Sequence, residues 1–163
     1  MEGGRLYKIV EKARKGNIRS IDKLNKMTGM DFKLPTEAQW EFAARGGNKS
    51  RGYKYSGSND VDKVAWYEDN IDNNYHFTKP VGLKSPNELG IYDMSGNVSE
   101  WCSDWRGEYS SVSQTDPKGP NTGTGKVARG GTVMDNKWSC RVFERSGYRP
   151  DYKGPWTGFR LCL

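Results

Sequence analysis

The apolar side chains of this sequence are largely aromatic rings set among glycines, and that pairing constrains the fold more than any other feature. Six Trp, nine Tyr and five Phe accompany 20 Gly, while hydrophobic residues make up only 34% of 163 positions. Aliphatic runs of the kind that fill a parallel sheet are few. The core must therefore lean on rings, each of which buries roughly 150–250 Å². Glycine at this density serves tight turns. The composition points to a turn-rich, irregular globular chain, because a disordered one would be poor in aromatics.

The length suits one domain over residues 1–163, with 1–17 as an N-terminal extension. Net charge is +6, which favours acidic partners, nucleic acid among them. The basic residues are scattered, however, with no RNA-reading motif and no finger spacing, so nucleic acid is not expected as a partner. Cys102, Cys140 and Cys162 allow at most one disulfide, whose pairing stays open, and their long separations suggest no zinc knuckle. No signal peptide or membrane span is legible, and insertion of this chain into a membrane is not expected.

Ile18, Ile21 and Leu24 recur at helical spacing, with Gly29 placed to end the helix. Basic residues 5–15 suggest another short helix, and basic positions within 5–26 offer a surface for docking on a neighbour; they do not set an oligomeric state. Thr36-Glu-Ala-Gln39 is a capping-box pattern, which predicts a helix from there to Gly46-Gly47 with Trp40, Ala43 and Ala44 on one face. Val64–Tyr67 and Thr78–Val81 suggest short strands within a loop-rich stretch. Pro117, Gly119, Pro120, Gly123 and Gly125 mark 106–125 as loop. Val127–Gly131 leads into a strand, and Gly158–Leu163 alternates as a closing one.

Two textures meet in this chain. Leu34-Pro-Thr-Glu-Ala-Gln-Trp-Glu-Phe-Ala-Ala-Arg-Gly-Gly47, Pro86-Asn-Glu-Leu-Gly-Ile-Tyr-Asp-Met-Ser-Gly-Asn97 and Glu100-Trp-Cys-Ser-Asp-Trp105 form dense motifs. After Arg129-Gly-Gly131 only a sparse frame remains: Cys140-Arg141-Val142, Arg145, Pro150-Asp151 and Gly158-Phe159-Arg160. Together and in this order, these motifs resemble the formylglycine-generating-enzyme (sulfatase-modifying factor) domain from about residue 20 onward. The resemblance implies an α+β, C-type-lectin-like fold: irregular and loop-rich, with two helices and short twisted β-strands.

Three outcomes follow from that resemblance: a copper-dependent oxidase, an iron-dependent sulfoxide synthase, and a set of non-enzymatic binders that includes the variable proteins of diversity-generating retroelements. Copper needs a pair of thiolates. Where the resemblance places the first, this chain has Asp135, between Met134 and Asn136. The iron site needs several His, and His76 is the only one. No nucleophilic triad or phosphate-cradling loop can be assembled. Enzymes of the family hold structural calcium, which makes Asn70, Asn97 and Glu100 candidate ligands; a hydrogen-bonded turn at Asn97 and a buried Glu100 would explain the same residues without metal. No other cofactor is expected.

The variable proteins carry a fixed framework with diversified positions near the closing strand. The corresponding region here is 132–157, filled by Val133, Met134, Asp135, Lys137, Trp138, Ser139, Phe143, Glu144, Ser146, Gly147, Tyr148, Arg149, Tyr152, Gly154, Pro155, Trp156 and Thr157. Rings interleaved with charges, Ser and Gly resemble a paratope, where Tyr and Trp give stiff contact area at low entropic cost. Phe143 and Trp156 fit core or surface equally; Val142 and Phe159 are assigned to the core. Two positions depart from the enzyme pattern: Thr132-Val133 replaces the usual Ser-Trp, and Ser99 stands where Trp is common. The expectation is a non-enzymatic binder of a macromolecule, a protein or cell-surface component, with surface or extracellular display. The alternative is a copper oxidase or its degenerate relative.

Overall fold

The computed structural model describes residues 19–71 and 78–163. The extension 1–17, the helix expected over 5–15, Ile18 and His76 lie outside the described residues. Helix α1 is Arg19–Thr28, with Leu24 buried. It ends as expected: Gly29 takes φ +69°, and its N–H donates to the Asn25 carbonyl at 2.8 Å. Helix α2 is Glu37–Ala44, and both halves of the Thr36–Gln39 capping box are made. Its buried side presents Trp40 and Ala44, with Ala43 packed against the same cluster. A single turn, α3, covers Val61–Val64 with Asp60 as its N-cap.

Strand β1 (Ala65–Trp66) pairs in parallel with β2 (Ser95–Gly96). A side chain at Gly96 would run into the Trp66 carbonyl, so the close approach of these strands requires glycine there. The main sheet contains β3 (Ser99–Trp105), β4 (Lys126–Arg129), β5 (Arg145–Tyr148) and β6 (Thr157–Phe159), in the order β5-β4-β3-β6. β4 is antiparallel to both β3 and β5, and β6 runs parallel to β3.

Register assigns the two faces. Glu100 lies opposite Arg129 and Gly158, and Arg129 lies opposite Arg145. Trp101 lies opposite Ala128 and Phe159, and Ala128 opposite Ser146. Side chains alternate along a strand, so Glu100, Cys102, Asp104, Val127 and Arg129 share the inner face. All five are buried. Trp40, Ala44 and Met94 cover that face and form one core with Cys102, Val127 and Val142. A second cluster joins Tyr55, Val61, Val64, Ala65, Tyr67 and Cys140.

Three expectations need correction. Thr78–Val81 is not a strand: the Lys79 N–H and carbonyl bond the side chain of Asn97 instead of a neighbouring strand, and Pro80 has no N–H to give. The closing strand stops at Phe159, and β pairing returns as an isolated bridge from Cys162 to Lys33. Phe159 is half-buried, because its register puts it on the outer face beside Trp101; Val142 is in the core as expected.

Candidate binding surface

Residues 132–157 cross the molecule from the end of β4 to the start of β6, and the structure divides them by exposure. Val133 is 0% exposed, with its N–H donated to the Asn97 carbonyl at 3.0 Å. Its side chain cannot touch a ligand, so this position is corrected from contact residue to core. Asp135 folds back to accept the Thr132 N–H at 2.9 Å, and its carbonyl accepts from Glu68 N–H at 3.1 Å. Met134 and Ser139 are half-buried beside it. A 3₁₀ turn over Lys137–Cys140, capped by the Asn136 side chain, pushes Lys137 and Trp138 into solvent.

Trp138 is 55% exposed and Phe143 47%, which settles Phe143 as a surface ring. The Arg141 guanidinium sits 5.4 Å from the Trp138 ring centre and 4.5 Å from that of Phe143, and it pairs with the Glu144 carboxylate. These three groups and the cation form one cluster at the end of the segment.

The outer sheet face carries a second group of rings. Tyr148 meets Trp101 edge-on at 5.7 Å and stacks on Tyr152 at 4.6 Å with 15° between planes. Such contacts hold a ring in place beyond its area burial. Tyr152, 42% exposed, lies over Gly154, where a side chain would collide with the ring. Ser146, Gly147, Arg149 and Pro155 are exposed around this ladder, with Arg149 paired to Asp151. Trp156 and Thr157 are half-buried at the entry to β6. Trp101 was not singled out from sequence as a surface residue. Alternation along the β3 sequence, with Glu100 and Cys102 buried, carries the signal that would have found it.

The inner face is a charge network. Arg129 is buried, with Nη1 3.3 Å from Glu37 and Nη2 paired to Glu41. Arg145 donates through Nε to Glu37 at 2.8 Å and lies 4.2 Å from the Tyr109 ring. Tyr109 Oη donates to the same carboxylate at 3.1 Å. A cleft of about 860 Å³ opens between α2 and the 107–120 loop, with Phe143 and Arg145 in its wall. Its floor carboxylates, Glu37 and Glu41, are already paired, as is the Arg45 guanidinium at the rim. Glu108 and Asp104 also line it.

The metal expectations fare differently from the rings. Both Glu100 oxygens are occupied: Oε2 by Trp40 Nε1 at 2.8 Å and Arg160 Nε at 2.9 Å, Oε1 by Arg160 Nη2 at 2.8 Å. Asn97 Oδ1 accepts from Lys79 N–H, and Asn70 Oδ1 from Tyr67 N–H. These contacts are the ones that the hydrogen-bonded alternative calls for at Asn97 and Glu100. Cys102 and Cys140 lie in separate core clusters. Cys140 is buried among Tyr55, Val64 and Tyr67, and burial pushes it up to about 12; burial raises Cys102 as well. Burial thus disfavours the thiolate form at both positions. All three cysteines are free. Among the described residues, no helix is long and apolar enough to cross a membrane.

The model of the sulfatase-modifying factor enzyme 1-like domain matches residues 10–163. The chaperone protein LppX of Paenibacillus barcinonensis is 40% identical over 144 residues, covering 80% of this chain and 48% of that protein. The formylglycine-generating enzyme of Thermomonospora curvata is 36% identical over 149 residues, with the same coverage of 80% and 48%. Among solved structures, Treponema denticola variable protein 1 superposes with a TM-score of 0.71 at 41% identity, over 80% of this chain and 46% of that one. The structure of PvdO from Pseudomonas aeruginosa gives 0.73 at 29% identity, over 88% and 56%. The chain spans about half the length of the curated relatives it matches. The motifs, the irregular two-sheet architecture and these likenesses converge: the chain belongs to the sulfatase-modifying factor (formylglycine-generating enzyme) family, with its C-type-lectin-like fold, and is similar to a retroelement variable protein.

Proposed function

We propose that this chain is a non-enzymatic ligand-binding protein whose surface over 132–157 is diversified by a retroelement. One observation carries the proposal. The segment's rings and charges stand outward on a buried frame: Trp138 and Phe143 at one end, and at the other Tyr148, edge-on to Trp101 and stacked with Tyr152. Aromatic and Arg anchors of this kind dominate binding energy at interfaces. The ligand class is a macromolecule, a protein or a cell-surface component, because the outer face is a broad surface of rings and charges. Deep enclosure suits small ligands better.

The likeness to Treponema denticola variable protein 1 supports this reading, whereas the likeness to formylglycine-generating enzymes supports the oxidase. Asp135 at the expected thiolate position and the buried neutral thiols favour the binder. Sequencing the DNA around the gene tests it. A nearby near-copy of the codons for 132–157, differing almost only at template adenines and beside a reverse-transcriptase gene, is the expected result. Copper-dependent oxidation of a Cys-containing peptide by the purified protein would overturn it.

A further inference from the structure

The buried framework grips the exposed segment by its main chain. Arg129 donates from Nη1 to the carbonyls of Phe143 at 3.2 Å and Glu144 at 3.0 Å, and from Nη2 to that of Val142 at 3.0 Å. Ser95 Oγ donates to the Cys140 carbonyl at 2.8 Å. Ser99 reaches the Trp156 carbonyl twice, through its N–H at 3.0 Å and its Oγ at 3.4 Å. Main-chain bonds from Val142 N–H to the Lys54 carbonyl and from Glu68 N–H to the Asp135 carbonyl add to these, and β5 is laddered to β4. Arg129, Ser95 and Ser99 are all buried. A carbonyl is the same acceptor whatever side chain its residue carries.

From this geometry we infer that Arg129, Ser95 and Ser99 are positioning residues that fix the backbone of 140–156 independently of its side chains, and so decide which positions set ligand specificity. The inference rests on the binder reading and refines it. Specificity falls to the outward side chains of Lys137, Trp138, Phe143, Ser146, Tyr148, Arg149 and Tyr152. Val133, Asp135 and Gly154 are excluded. Val133 fills the core, Asp135 binds the Thr132 N–H, and any side chain at Gly154 would displace the Tyr152 ring. The presence of Ser at position 99 also gains a physical reason: its short hydroxyl side chain hydrogen-bonds the carbonyl at the entry to β6.

Amide hydrogen exchange of the whole chain tests the inference without any ligand. Phe143→Ala, Glu144→Ala and Arg149→Ala should each leave exchange across 140–148 within about twofold of the parent, as exposed substitutions do. Ser95→Ala should speed exchange at Arg141 and Val142 about tenfold, by stranding the Cys140 carbonyl. Arg129→Lys, which cannot span three carbonyls, should do more and extend into β5. If Arg129→Lys does not fold, Ser95→Ala decides. Unchanged exchange in Ser95→Ala, or loss of protection in the three alanine variants equal to its own, overturns the inference. Failure of the binder reading would appear separately, in the surrounding DNA, and would leave the exchange pattern untouched.

Discussion

Replacing Glu100 with Gln separates the two roles considered for that residue. The carboxylate is nearly sequestered, with 8% of its side chain exposed, and accepts three N–H donors, two of them from Arg160. The amide is the same size but carries no charge. Whichever way it is turned, its NH₂ faces an N–H donor where an oxygen stood. Breaking a fully buried ion pair costs about 3–5 kcal/mol. Arg160 is 29% exposed and recovers some water, which lowers the expectation to about 2–4 kcal/mol. For a chain of this size each kcal/mol moves the melting temperature by about 2–4 °C, so Glu100→Gln should melt roughly 4–16 °C below the parent. Differential scanning calorimetry with 1 mM-range calcium or with chelator is the assay, the concentration being of the order that fills weak calcium sites. Parent and variant should each melt at the same temperature in both solutions. A calcium-dependent rise in the parent that disappears in the variant would refute the account of Glu100 as a hydrogen-bonded ion pair.

Val133→Ala should destabilise by about 1–3 kcal/mol in urea titration, because the side chain is fully buried; a change under about 0.5 kcal/mol would return Val133 to the surface set. Thr36→Ala removes half of the α2 capping box and should cost about 0.5–2 kcal/mol, again by urea. Native protein at pH 8 should alkylate at Cys162 while Cys102 and Cys140 stay protected, as mass spectrometry of the labelled peptides will show. Cys140 also sets a pH dependence. Its folded value lies near 12 against an ordinary 9.0, so above pH 9 the unfolded chain releases a proton that the native state keeps. Its stabilising contribution is whole below pH 9 and declines from there to about pH 12; Cys140→Ala should flatten that decline in urea titrations across the window.

Much of the frame was legible because it is local. The Thr36–Gln39 capping box, the Gly29 exit and the Gly46-Gly47 stop are rules about neighbours, and all three appear where the residues put them. The order of motifs carried the fold, since local rules alone could not have joined β6 to β3 across about sixty residues. What failed was burial that depends on distant partners. Thr78–Val81 has the apolar and β-branched content of a strand, but Asn97, eighteen residues on, takes the hydrogen bonds of Lys79. Val133 sits in a mixed, contact-prone stretch and is nonetheless drawn inside by the turn that Asp135 closes on Thr132. Trp101 escaped notice as surface because the residues around it in the motif, Glu100 and Cys102, belong to the opposite face.

That opposition of faces explains how one framework can serve unrelated ends. The inner face holds the costly interactions: a buried guanidinium between two carboxylates, a second ion pair on Glu100, and Trp40 against both. Substitution there breaks buried ion pairs, so those positions have little freedom. The outer face contributes rings and charges whose loss is expected to shift stability by about 0.5 kcal/mol or less where they are solvent-exposed. Both sets alternate along the same strands, as in Trp101 between Glu100 and Cys102, or Ser146 beside Arg145. The buried ion pairs and the exposed ring ladder of Tyr148 and Tyr152 thus lie on opposite sides of one sheet, and a substitution on one side is expected to couple only weakly to the other. A double-mutant cycle between Tyr148 and Glu41 makes this concrete. The coupling energy should stay within about 0.3–0.5 kcal/mol of zero, and a value above 1 kcal/mol would show that the two faces are not independent.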